Sequence, residues 1–167
     1  MQIEYQGKLP VVDKTAFVAD GAYLVGDVRV GAHSSIWYGA CLRGDVAPIT
    51  IGESTSVQDC CVLHGAGGIP VRIGNHVTIG HGAVVHACEV QDGVLIGMNA
   101  TVLDGAVVQE GAVVAAGCVV TPNSVVEANT LVAGVPAKVV KRLDAASASE
   151  RVAHAERYAE LAKSYAQ

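Results

Sequence analysis

Residues 90–132 read VQDGVLIGMNATVLDGAVVQEGAVVAAGCVVTPNSVVEANTLV. An aliphatic side chain stands at every sixth position: Val90, Ile96, Val102, Val108, Val114, Val120, Val126 and Val132. A helix needs a period near 3.6 and a simple alternating strand a period of 2, so neither accounts for the spacing. Four positions after most of these residues comes a small or branched one: Val94, Ala100, Ala106, Ala112 and Cys118. One large and one small inward residue in every six fits a short flat strand followed by a tight corner. Three such units close a triangular coil of about eighteen residues, and coils stack as parallel strands roughly 4.8 Å apart. The stretch predicts a parallel β-helix of the hexapeptide type.

The same phase runs upstream at Val18, Leu24, Val30, Ile36 and Leu42. It slips, resumes at Ile51, Val57 and Leu63, slips again, and resumes at Ile73, Ile79 and Val85. These positions supply about six coils. The first slip is three residues, placed near Pro48–Thr50; the second is four, placed in a loop over Gly65–Arg72. Gly134-Val135-Pro136-Ala137 ends the repeat. Ser147-Ala148-Ser149-Glu150 resembles a helix capping box, and Val152, Ala155, Tyr158, Ala159, Ala162 and Tyr165 then follow helical spacing. The expected organisation is a β-helix domain over residues 1–143 and one C-terminal α-helix within residues 144–167, at about 148–165.

Composition narrows the class. Half of the 167 residues are apolar but only 4% are aromatic, which suits thin stacked layers. A net charge of −5 without a basic run argues against nucleic acid as a partner. No stretch of eighteen apolar residues occurs and MQIEYQGKLP has no signal-like core, so a cytoplasmic protein without a membrane span is expected. Five cysteines with no CxxC read as reduced thiols, Cys61 and Cys118 being packing residues at small inward sites.

The repeat also gives the histidines meaning. Leu42, Leu63 and Val85 fall one coil apart in a single column, so the residues after them, Arg43, His64 and His86, stack on one face. Two imidazoles stacked in this way can share a metal, because tetrahedral zinc puts two ligating nitrogens roughly 3.4 Å apart. His81 follows Ile79 by two, in the phase of Asp59, and faces out from the neighbouring face. A three-fold axis beside the corner brings the His81 of another subunit to the pair. Three neutral imidazoles with an open fourth position are the ligand set of a catalytic zinc site. His33, His76 and His154 read as solvated polar residues.

These segments resemble the γ-class carbonic anhydrases, hexapeptide-repeat proteins, over roughly residues 10–143. The matching pieces are Leu42-Arg43-Gly44-Asp45, Val57-Gln58-Asp59, Val62-Leu63-His64, Ile79-Gly80-His81, Val84-Val85-His86 and Gly134-Val135-Pro136-Ala137-Lys138. The resemblance implies a left-handed β-helix and a homotrimer with metals at its interfaces. His64 and His86 of one subunit and His81 of the next hold Zn2+, or Fe2+ or Co2+, and the reaction is the reversible hydration of CO2 to bicarbonate. Gln58 is implied beside the metal-bound water. Arg43, Asp45 and Asp59 are implied as an interfacial ion-pair set, and Tyr158 as a helix residue that reaches the site.

Three features depart from the family. The corner loop Gly65-Ala66-Gly67-Gly68-Ile69-Pro70 has no ionisable side chain where relatives carry a proton-shuttling glutamate, and Val46 replaces another glutamate. Ser56 stands where many relatives have asparagine. Proton transfer out of the site is therefore expected to limit turnover. Two other readings follow: a non-catalytic metal-binding trimer, and a hexapeptide acyltransferase, which the short insertions argue against.

Overall fold

The computed structural model describes residues 1–144, 146 and 148–165. The chain is a parallel β-solenoid closed by a single C-terminal helix. Three faces repeat in order. The first carries the strands Phe17–Val18, Ser35–Ile36, Ser56–Val57, Thr78–Ile79, Leu95–Ile96, Val113–Val114 and Thr130–Ala133. The second carries the first halves of Tyr23–Val30 and Cys41–Ile51, then Val62–His64, Val84–His86, Thr101–Val102 and Val119–Val120. The third takes the second halves of the two long strands, then Val71–Ile73, Glu89–Val90, Val107–Val108 and Val125–Val126. The strands of the first face mark seven layers, one more than the aliphatic count gave. The added layer uses Gln2–Ile3 and Val11–Val12, which pair beneath Tyr23–Val30 and precede the first periodic valine.

The six-residue rhythm is the core. Every aliphatic position of the repeat is buried except Val18, in the first coil, and the small residues between them are buried as well. Each buried Leu, Ile or Val side chain contributes about 1.5–3 kcal/mol from removal of apolar surface. With so few aromatics the interior is filled by branched aliphatics, whose stiff χ1 angles suit strands.

The register places the slips. Gly26 pairs with Gly44 but Val28 pairs with Ile49, so the first three-residue insertion enters between Gly44 and Ile49, slightly before Pro48–Thr50. Gly44 cannot be replaced there: a Cβ would lie 2.4 Å from the Asp27 carbonyl oxygen. The second insertion is a miniature hairpin at the same corner, one coil on. Ala66 and Ile69 bridge across Gly67 and Gly68, both at positive φ as a type I′ turn demands.

The outward columns differ from face to face. The third face presents Val11, Arg29, Thr50, Arg72, Glu89, Val107 and Val125, with charge at its centre. The second presents an uncharged column, Tyr23, Cys41, Val62, Val84, Thr101 and Val119, and beside it the column Arg43, His64 and His86. The first presents Phe17, Ser35, Ser56, Thr78, Leu95, Val113 and Leu131, and here the helix Ala148–Tyr165 lies along the prism. It runs back down the stack. Arg151 donates to Asn129 near the last coil, and Tyr165 meets Phe17 and Trp37 near the first. Ala155 and Ala162 are buried beneath it. The start expected for it at Ser147 lies outside the described residues. Among the described residues no helix is long and apolar enough to cross a membrane.

Candidate metal centre

Two parallel pairings carry Arg43, His64 and His86 into one column, as the phase of the repeat requires: Arg43 opposite His64, and His64 opposite His86. The rings are 5.3 Å apart at their centroids and inclined by 44°. This tilt brings His64 Nδ1 to 3.2 Å from His86 Nε2, close to the roughly 3.4 Å that two ligands of one tetrahedral zinc span.

The far nitrogens are both occupied by carboxylates. His64 Nε2 lies 3.1 Å from Asp45 Oδ1, and His86 Nδ1 lies 2.5 Å from Asp104 Oδ1. An ionised carboxylate only accepts, so each far nitrogen carries the hydrogen and, in the neutral ring, each near nitrogen presents a lone pair. Two lone pairs aimed at each other across 3.2 Å are a poor arrangement alone and a good one around a cation. Asp45 is also held by Arg43, whose Nη1 donates to Oδ2 at 2.6 Å, and by the Val46 N–H. Partial burial pushes the Asp45 carboxyl up, but the hydrogen bonds from Arg43 and His64 outweigh it and hold the group below the ordinary carboxylate value.

His81 stands apart, at the corner between the first and second faces. Its Nδ1 lies 2.8 Å from Asp59 Oδ2, and its backbone N–H donates to Gln58 Oε1 at 3.2 Å. The corner stacks Tyr38, Asp59, His81 and Met98 in one ridge, each joined to the next through the backbone. Tyr38 and Met98 are exposed on that ridge. Among the described residues of one chain, no three His, Cys, Asp or Glu side chains are disposed to hold a metal. Cys61 and Cys88 are poor candidates too, since burial pushes both thiols up to about 12.

Tyr158 does not approach the paired histidines within its own chain. It packs edge-on against Trp37 and beside His154, and with Gln58, Thr78, Met98 and His154 it lines a cavity of about 130 Å³ between helix and prism. Ser56, in the outward column of the first face, is buried there: its hydroxyl and that of Ser35 both accept from Trp37 Nε1.

Two residues of this region lie outside the expected set. His154 is not a solvated residue: it is half-buried, its Nδ1 lies 3.1 Å from Thr78 Oγ1, and burial lowers its pKa. Helical spacing reveals which residues share a face of the helix but not which strand that face meets. Asp104 was legible in principle. It follows Val102 by two, and Val102 pairs with Val85, so it sits one layer above the residue that follows His86.

The chain is similar to known proteins. The bacterial transferase hexapeptide family (six repeats) matches residues 87–122. A probable carbonic anhydrase from Methanocaldococcus jannaschii is 50% identical over 153 residues, covering 92% of this chain and 96% of that protein. The chain belongs to the γ-class carbonic anhydrase family. Another relative, gamma carbonic anhydrase 1, mitochondrial, from Arabidopsis thaliana, is 43% identical over 165 residues, and the match spans 95% of this chain but 60% of that protein's length. Among solved structures, a hexapeptide transferase family protein from Anaplasma phagocytophilum superposes with a TM-score of 0.94 at 40% identity, covering 98% of this chain and 97% of that one. Membership in the γ-class family supports a carbonic anhydrase-like function for the chain.

Proposed function

We propose that this γ-class family member catalyses the reversible hydration of CO2 to bicarbonate as a homotrimer. A divalent cation, zinc or alternatively iron or cobalt, sits between His64 and His86 of one subunit and His81 of a neighbour. The observation that carries the reading is the pair of inward-facing nitrogens 3.2 Å apart, each backed by its own carboxylate. The donor set fits a cation of this class: neutral imidazoles with fixed tautomers, in a spacing that matches tetrahedral zinc. When bound, such an ion supplies a Lewis acid that makes hydroxide available near neutral pH.

The chain's own residues do the rest. Asp45, Asp104 and Asp59 hold the three rings with one nitrogen free. Gln58, buried and anchored through Oε1 to the His81 backbone, keeps its amide N–H groups for the reacting oxygen atoms. Arg43 braces Asp45 and, through it, His64. Two features support the trimer. One chain supplies two histidines to the site and carries the third on a different corner. The second face, beside the pair, is uncharged along a whole outward column, whereas the third face is charged. The transferase reading is weaker, since both corner insertions are only a few residues long and, among the described residues, no extended external loop reaches out to hold an acyl carrier.

Elemental analysis of purified protein should give about one metal per chain, and sedimentation should give a trimer. Stopped-flow CO2 hydration at high buffer should exceed the buffer rate and fall to it in His81→Ala. A fully metallated protein no faster than buffer would leave the non-catalytic trimer standing. A monomer with bound metal would remove the shared site.

A further inference from the structure

Both paired histidines are gripped from behind, and the tighter grip comes from a residue two positions past the strand Thr101–Val102. We infer that Asp104 is a positioning residue of the metal centre: it fixes His86 as the Nδ1–H tautomer and aims the Nε2 lone pair at the cation. The inference rests on the reading of His64 and His86 as ligands.

The geometry carries it. Asp104 Oδ1 is 2.5 Å from His86 Nδ1, the shorter of the two carboxylate contacts to the pair. Its side chain is 45% exposed, so it reaches the ring from the solvent side rather than from the core. It has no other side-chain partner among the described residues, whereas Asp45 divides its oxygens among Arg43, His64 and the Val46 N–H. Asp104 is therefore dedicated to one imidazole. A carboxylate on the far nitrogen of a metal-ligating histidine orients the ring and raises its basicity toward the metal. His86 needs that help, because its side chain is 30% exposed against 15% for His64 and is less fixed by packing.

The test compares Asp104→Ala and Asp104→Asn with wild type. Zinc affinity, measured by competition with a chromophoric chelator, should weaken about 10–100-fold in Asp104→Ala. It should weaken less in Asp104→Asn, whose amide oxygen still accepts from Nδ1–H. In chelator-stripped protein, 15N NMR of the imidazoles should show His86 as the Nδ1–H tautomer in wild type and a tautomer mixture in Asp104→Ala. Thermal unfolding of the stripped variants should match wild type, which separates positioning from a purely structural role. Equal zinc affinity and an unchanged His86 tautomer in Asp104→Ala would overturn the inference. If wild type bound no zinc, the ligand assignment would fail instead, and the tautomer measurement would still decide what Asp104 does to His86.

Discussion

Two pyridine-type nitrogens 3.2 Å apart repel unless a proton or a cation lies between them. That local conflict is the sort of feature that marks a functional site, because nothing in the fold requires it. Leu42, Leu63 and Val85, one position earlier, already hold the strands together in the core. Removing one ring should thus cost function and little stability. His86→Ala should fold as well as wild type by thermal unfolding of the metal-free protein. Its metal affinity should drop by more than the ~10–100-fold expected of an outer partner. The cysteines give a second residue-scale expectation. Burial pushes Cys61 and Cys88 up to about 12, so near pH 8 only on the order of one molecule in ten thousand carries a thiolate there. Alkylation followed by mass spectrometry should label exposed Cys60 in the native protein and leave Cys61 and Cys88 untouched until denaturant is added.

At the scale of elements, the hexapeptide strand and the docked helix obey different rules, and this decides how much of each was readable. A strand in this fold has its inward residue set by phase alone. The Arg43, His64 and His86 column therefore followed from counting, and the register agrees residue for residue. The corner insertions were countable in length; the second lies within Gly65–Arg72 as expected, whereas the first enters slightly earlier than expected, because a bulge can enter anywhere between two fixed aliphatics. The helix is different. Its face was legible from Val152 to Tyr165, but not the strand each turn would meet, so His154 looked solvated. In the fold its ring lies against Tyr158 and Thr78, with Arg157 as the nearby charge. Burial lowers its pKa below the ordinary 6.5, so the unfolded chain takes up the proton first. The stability this confers is present above pH 6.5 and is lost as pH falls through the window below it. Thermal unfolding scanned from pH 8 to pH 5 should show that loss. His154→Gln, which cannot take up the proton, should flatten this part of the profile.

The three faces of the prism differ in what they present. The helix covers the first, the third carries charge at the centre of its outward column, and the second has the uncharged column Tyr23, Cys41, Val62, Val84, Thr101 and Val119 beside the histidine pair. Val62 is 42% exposed in the single chain, at the centre of that uncharged column and two residues before His64. If the second face is where subunits meet and the metal is shared across that contact, assembly and metal binding must fail together. A glutamate at position 62 would bring an unpaired charge into the contact, at a desolvation cost of several kcal/mol. The lone chain would tolerate it, since the side chain points to water. Val62→Glu should therefore stay folded by circular dichroism, sediment as a monomer, and lose its metal although all three histidines remain. Thr50→Glu, an outward change on the charged third face, should keep both trimer and metal. A monomeric Val62→Glu that still binds one metal per chain would show that the centre is built within one subunit. A trimeric variant with intact metal would mean that the apolar column serves some other contact.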